Sequence, residues 1–351
     1  MNKLKVAFIG IAHTHAGCLY NEFMTQKERV EWVGYSDIES ELGETAGERC
    51  ERNFAAAKDM PYYENYRDIL DLSPDLVIVN TELQDHARVV GEILERNINV
   101  LVEKPMATNM QEAQKMYAAA KKSKAELIIN WPIAWFSYFN LIKKLADDGV
   151  VGDILRVCYR SPATWGPYDL GKYSEAELKK MWWYNRENGG GAIMDYACYG
   201  CVLSTWIFGK KAESVYGIRK NFLHGFSDIE DYSAFLLDFG TGVGFLEGSW
   251  STFNSGEIPT GPIVYGTKGT LVSDRYTNAV KLYKTPSHSL EPPDEVFCDA
   301  PEAGNAGVNV VEHFLDNKPL HELLTLEFNM MAQAALDAGI RSCGSGKAEK
   351  A

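Results

Sequence analysis

The first 130 residues alternate short apolar runs with longer helix-patterned segments, and few architectures accept that pattern. The apolar runs are residues 6–9, 30–35, 76–79, 100–102 and 127–129, and helical spacing marks 16–24, 40–50, 66–72, 86–96 and 109–122. A strand that is apolar along its length is buried on both faces, as in a parallel sheet covered by helices. Alternating strands and helices then wind into an open, doubly wound parallel sheet of the Rossmann kind, an α/β fold. Ligands of such sheets lie beyond the carboxyl ends of the strands. The unusual polar residues fall there: His13 and His15 after the first strand, Asp37 after the second, Asn80 and Thr81 after the third, Glu103 and Lys104 after the fourth, Asn130 after the fifth.

Beyond residue 130 the pattern changes. A helix over 138–148 and a strand over 154–161 lead into an aromatic, polar stretch, 162–188. Gly189-Gly190-Gly191 then opens a helix that runs to Phe208. Residues 215–283 are strand-like between glycine turns, with alternation over 233–239 and 243–250, which predicts a large, mostly antiparallel sheet with helices on one face. A long amphipathic helix over 323–342 follows, and 344–351 are expected to fray. Two domains are therefore expected, 1–128 and 129–351.

The formal net charge of -13, from 35 basic and 48 acidic residues, speaks against nucleic acid and anionic membrane surfaces, since phosphate binding needs a basic face. No apolar run approaches the roughly 20 residues of a membrane helix, and the N-terminus lacks a signal-peptide pattern, so a cytoplasmic protein is expected. Cys198-x-x-Cys201 has no second pair at zinc-ligand spacing and reads as two buried thiols.

The first turn, Gly10-Ile11-Ala12-His13-Thr14-His15, follows a strand and opens a helix. It keeps one glycine of a Gly-x-Gly-x-x-Gly fingerprint, with Ala12 and His15 in the other two places. A helix N-terminus there offers N–H groups to a pyrophosphate. Asp37 would accept the adenosine ribose hydroxyls and repel a 2′-phosphate, favouring NAD over NADP. His13-x-His15 also matches the opening of metal-dependent hydrolases built on (β/α) barrels. The later histidines fall too far into the antiparallel half to complete such a site, and no metal is expected. Lys104 stands where a strand-end residue would meet a nicotinamide; burial and a neighbouring positive charge both favour its uncharged amine, suited to proton transfer. Asp195 and Tyr199, four residues apart on one helix face, can hold a hydroxyl between an acid and a phenol.

Glu103-Lys104-Pro105 together with Gly189-Gly190-Gly191…Asp195…Tyr199 resembles the glucose–fructose oxidoreductase / inositol dehydrogenase family (Gfo/Idh/MocA). Thr81…His86, Gly266-Thr267-Lys268-Gly269 and the C-terminal helix extend the resemblance over nearly the whole chain. It implies a NAD-binding Rossmann domain followed by a substrate-binding domain whose open sheet pairs with other subunits, giving a homodimer or homotetramer. It implies hydride transfer between nicotinamide C4 and a secondary hydroxyl of a sugar, polyol or glycoside. Gly10, Ala12, His13, Thr14, His15, Asp37, Thr81, His86, Glu103, Lys104 and Asn130 would hold the dinucleotide. Lys104 matches the lysine at the reacting hydroxyl, Asp195 the substrate-binding acid, and Tyr199 the acid/base of the branches that carry tyrosine there. Many members carry an arginine pair where this chain has Trp131-Pro132. With Trp165, Trp182 and Tyr184 this implies an aromatic substrate pocket, suited to pyranose faces.

Three other functions fit parts of this pattern: a glycosidase or lyase that uses NAD without net redox change, a non-catalytic sensor of NAD or a sugar, and the His-x-His metal-dependent hydrolase. The sequence leaves open which sugar or polyol is used and in which direction.

Overall fold

The computed structural model describes residues 3–162, 166, 171–253, 256, 258–299 and 304–351. The chain divides into two compact units: Met1–Pro132 with Leu170–Gly190 and Gly304–Met330, and Ile133–Asp169 with Gly191–Ala303 and Met331–Ala351.

The first unit is built on a parallel sheet of β1 (Leu4–Ile9), β2 (Val30–Ser36), β3 (Leu76–Val79), β4 (Asn99–Glu103) and β5 (Leu127–Asn130), in the order β2-β1-β3-β4-β5. Val6–Ile9 and Val77–Val79 are completely buried, as continuous apolar strands require. Helices His15–Met24, Ala46–Asn53, Tyr66–Asp71, His86–Glu95 and Met110–Lys122 make the connections. The chain runs from β1 outward to β2 and then returns to β3 on the other side of β1. This topological switch opens a crevice at the carboxyl ends of β1 and β3.

The second helix differs from the sequence expectation of 40–50. It begins after Thr45, whose hydroxyl accepts the Glu48 N–H while the Glu48 carboxylate accepts the Thr45 N–H at 2.8 Å. That capping box starts the helix late and leaves Ser40–Glu44 as loop. A helix that the sequence pattern did not single out, Ala306–Asp316, completes this unit by packing on His15–Met24. Ala306 N–H donates to Glu22 Oε2 at 2.9 Å, and Arg29 pairs with Asp316 at 2.8 Å.

The second unit carries a nine-stranded sheet: β6 (Ile154–Pro162), β7 (Ser214–Lys220), β8 (Tyr232–Asp238), β9 (Val243–Ser249), β10 (Ile263–Gly266), β11 (Gly269–Asp274), β12 (Ala279–Tyr283), β13 (Glu295–Phe297) and β14 (Glu349–Lys350). Its neighbours are antiparallel except for β6 and β9. Helices Ser137–Asp147 and Cys198–Phe208 cover one face, with Leu141, Ile142, Leu145 and Ile207 packed on Val157, Val264, Leu271 and Leu282. On the other face Tyr216, Leu236 and Phe245 lie in register across β7, β8 and β9 and are 45%, 46% and 44% exposed. The chain end does not fray as expected: Glu349 and Lys350 pair with Val215 and Ser214. The cysteines are thiols, Cys198 and Cys201 both buried. Among the described residues no helix is long and apolar enough to cross a membrane.

Candidate active site

In the first unit the strand-end polar residues gather along one edge of the sheet. The loop after β1 is stitched to the loop after β3, with Ala12 N–H donating to Asn80 O at 2.8 Å. Gly10 turns the chain at φ +82°, and a Cβ there would stand 2.5 Å from the Thr81 backbone nitrogen, so this position requires glycine. Ala12 is buried, and its carbonyl accepts from Trp182 Nε1 at 3.1 Å and from Asn53 Nδ2 at 3.2 Å. The close-packing task of the third fingerprint glycine falls to Gly17 rather than to residue 15: its Cβ would lie 2.7 Å from Asn53 O. Thr14 precedes the helix without a side-chain cap.

Asp37 directly follows β2, buried, with Oδ1 accepting the Ile11 N–H at 3.0 Å. Burial raises its pKa above the ordinary carboxylate value, against the opposing pull of Arg49 and the Ile11 N–H. A cleft of about 870 Å³ opens in front of it, lined by Ile38, Ser40, Tyr62, Asn65 and Arg88 among others. That is where the adenosine half of a dinucleotide rests in this topology.

Farther along the edge, Glu103 is completely buried at the tip of β4. His15 Nδ1 donates to its Oε1 at 2.8 Å and Asn130 Nδ2 to its Oε2 at 2.8 Å. Burial alone would raise the Glu103 carboxyl; His15, Lys104 and the Asn130 amide outweigh it and hold it below its usual range. Lys104 follows, 2% exposed, on a cis bond to Pro105. Burial, then the charges of His15, Lys104 and His86, hold His13 well below the ordinary imidazole value. Burial likewise lowers His86, whose Nδ1 lies 3.3 Å from Met106 O. Thr81 is buried beside them, its hydroxyl on Glu82 O at 3.1 Å.

His13, His15 and Glu103 bring three potential metal-ligand atoms within 4.8 Å of one another. The hydrogen bonding disfavours an ion. His15 N–H donates to His13 Nδ1 at 3.0 Å, so neutral His13 carries its proton on Nε2, the atom that would have to bind the metal. The open five-stranded sheet also removes the barrel on which the hydrolase reading rested. The edge does fit a polar organic ligand. Among the described residues, His13 Nε2, both amide atoms of Asn80, Asn130 Oδ1 and Trp183 Nε1 are buried with no hydrogen-bond partner. Buried polar atoms are seldom left so unless a ligand or water completes them.

The aromatic residues divide. Trp182 stacks on Trp183 at 4.0 Å, and the Trp183 ring lies 4.7 Å from His13. Tyr184 is buried in the same turn. Trp131 is buried, with its indole N–H on Asn329 Oδ1 at 2.6 Å, as a packing residue of the first unit. Trp165 lies outside the described residues.

In the second unit Gly191 has φ +104°, and a Cβ there would stand 2.3 Å from Glu230 Oε1. That carboxylate accepts the Ile193 N–H at 3.1 Å, capping the helix that begins there. Asp195 sits in a π-helical first turn, Ile193–Ala197, before the α-helix Cys198–Phe208. Its Oδ2 accepts the Trp250 indole N–H at 3.0 Å. Tyr199 is buried one turn on.

Sequence reasoning missed Gly17, Arg49, Asn53, Glu230 and Trp250. The Thr45…Glu48 box was the one available signal, because it sets Arg49 and Asn53 four residues apart on one helix face.

The chain is 28% identical over 225 residues to trans-1,2-dihydrobenzene-1,2-diol dehydrogenase of Xenopus laevis, an alignment that covers 63% of this chain and 62% of that relative. The chain thus spans about three-fifths of the curated relative it matches. The WlbA dehydrogenase of Bordetella pertussis, solved with NADH and UDP-GlcNAcA, shares the fold with a TM-score of 0.78 at 19% identity, over 100% of this chain and 99% of that one. The aldose–aldose oxidoreductase of Caulobacter crescentus does so with a TM-score of 0.76 at 20% identity over 100% of both. Residues 4–131 match the profile of the GFO_IDH_MocA oxidoreductase family, NAD-binding Rossmann fold, and residues 139–272 match the GFO/IDH/MocA C-terminal domain. The chain belongs to the GFO/IDH/MocA family of NAD-binding oxidoreductases.

Proposed function

We propose that this protein is an NAD-dependent oxidoreductase that interconverts a secondary hydroxyl and a carbonyl on a sugar, polyol or glycoside. The observation that carries the reading is Lys104, a buried amine at the tip of β4 beside a charged Glu103 in an NAD-binding unit. NAD, when bound, supplies the hydride acceptor and donor at nicotinamide C4. Gly10, Ala12, His13 and Thr14 would hold the pyrophosphate, Asp37 the adenosine ribose, and Asn80, Asn130 and His13 would offer their unpartnered atoms to the nicotinamide half. Asp37, a carboxylate, favours NAD over NADP. In the first unit Lys104 would take up the proton of the reacting alcohol; in the second, Asp195, aimed by Trp250, and Tyr199 would offer an acid and a phenol to substrate hydroxyls. Relatives named for a dihydrobenzene diol and for aldoses support a vicinal-hydroxyl substrate.

The test is to identify the nucleotide released when the purified protein is denatured, then to screen sugars, polyols and glycosides for NADH formation. Glycoside cleavage without NADH accumulation would replace this reading with the redox-neutral one. Loss of neither nucleotide nor hydroxyl, with binding alone, would point to a sensor.

We also infer that the open face of the second unit's sheet pairs with another copy of this chain. A row of half-exposed Tyr216, Leu236 and Phe245 is the apolar, in-register surface such pairing buries. Light scattering should give a dimer or tetramer mass, and Phe245→Glu should shift it toward the monomer; a wild-type monomer at micromolar concentration would refute the inference.

A further inference from the structure

We propose that Arg49 is a specificity-determining residue for the cofactor, an arginine beside the ribose acid that is locked by carboxylates and thereby withheld from a 2′-phosphate. The inference rests on the dinucleotide reading above and concerns a residue which that reading does not use.

Arg49 lies on helix Ala46–Asn53 with a side chain 1% exposed. Its Nε donates to Glu44 Oε2 at 2.7 Å. Its Nη1 donates to Ile38 O at 2.9 Å and to Asp37 Oδ2 at 3.4 Å, and its Nη2 donates to Glu82 Oε1. The guanidinium therefore stands directly behind the acid expected to meet the ribose. A planar fork of N–H groups in that place is well shaped for a phosphate. Here each of the three nitrogens is already engaged.

The lock is itself held. The second oxygen of Glu82 accepts Asn188 Nδ2 at 2.6 Å and Gln84 Nε2 at 3.2 Å, and the second oxygen of Glu44 pairs with Arg52 at 2.6 Å. Three carboxylates, those of Asp37, Glu44 and Glu82, meet two guanidiniums, those of Arg49 and Arg52, which leaves this cluster one net negative charge, and Asp37 and Glu44 present it to the cleft. The other arginine of the cleft, Arg88, is engaged by Asp85 at 2.5 Å and by the Tyr66 hydroxyl at 3.1 Å. A 2′-phosphate would bring further negative charge to a place where, among the described residues, Arg49 and Arg88 are already held by carboxylates.

This arrangement has a consequence that an aspartate acting alone would not have. Neutralising Asp37 removes one repulsion but leaves Arg49 bound to Glu44 and Glu82. Both the acid and one lock must go before the arginine can turn to the phosphate.

The experiment measures dissociation constants for NAD⁺ and NADP⁺ on the full chain by fluorescence titration. Asp37→Asn alone should weaken NAD⁺ and leave NADP⁺ binding weak. Asp37→Asn/Glu82→Gln should tighten NADP⁺ by about tenfold or more relative to Asp37→Asn, the effect of one charge-assisted contact. Adding Arg49→Met should cancel that gain. Should Glu82→Gln fail to fold, Glu44→Gln releases the same arginine and takes its place in the pair. A full NADP⁺ gain from Asp37→Asn alone, or a gain that persists with Arg49→Met, overturns the inference while the dinucleotide reading stands. A wild-type chain that binds neither dinucleotide overturns both.

Discussion

Lys104→Ala should lower kcat by about 10²–10⁴-fold, the range for removing a positioned acid/base, while NAD⁺ still binds close to its wild-type affinity. The split between the two effects follows from where the residue stands. Its side chain leaves the tip of β4, buried, next to Glu103. The groups proposed to hold the pyrophosphate and the adenosine ribose, the Gly10–Thr14 loop and Asp37, follow β1 and β2 instead, and their contacts with Thr81, Asn80 and Ile11 do not involve Lys104. Removing the amine deprives Glu103 of one of the charges that hold it ionised, but leaves it the hydrogen bonds of His15 and Asn130. Lys104→Met, which preserves volume, should behave like alanine if the amine is what matters. Turnover by stopped-flow NADH absorbance and affinity by fluorescence titration check the two halves separately. Turnover near wild type would withdraw Lys104 from the chemistry.

The second large effect is on stability. Gly10→Ala should destabilise the fold by about 2–5 kcal/mol and remove dinucleotide binding. Two costs add. Residue 10 has φ +82°, a region that a residue with a Cβ enters only with strain. The new methyl would also stand 2.5 Å from the backbone of Thr81, which cannot swing away because β3 is buried on both faces. Gly91, inside helix His86–Glu95, has nothing within 4 Å of its would-be Cβ. Gly91→Ala should therefore stabilise, by up to about 1 kcal/mol, and serves as the control. Urea unfolding of the three proteins measures both differences. Equal midpoints for Gly10→Ala and wild type would contradict the left-handed turn.

How much of this was legible depended on the distance over which information had to travel. The five parallel strands were readable because a doubly buried strand must be apolar at each position, and the strand-end residues followed from the topology rule. The second helix starts at Ala46 rather than at residue 40 because the capping box of Thr45 and Glu48 sets its first turn. The expected fraying at the chain end failed because two residues found a sheet edge to pair with, a partner 134–136 positions away that no local pattern announces. The aromatic stretch before the glycine run is visible in the sequence, whereas the bond from Trp182 to Ala12 across 170 positions is not.

The sequence by itself determined the class of the fold, the edge of the sheet where the strand-end polar residues gather and the residue types available there, because strand and helix periodicities are local properties of the chain. Only the tertiary structure decided the pairings that give those residues their chemistry. His15 meets Glu103 across 88 positions, Arg49 meets Glu82 across 33 and Trp250 meets Asp195 across 55. The physical reason is that a buried charge takes its partner from whatever neighbouring element the packing brings beside it, and that choice is made by topology and close packing rather than by spacing along the chain.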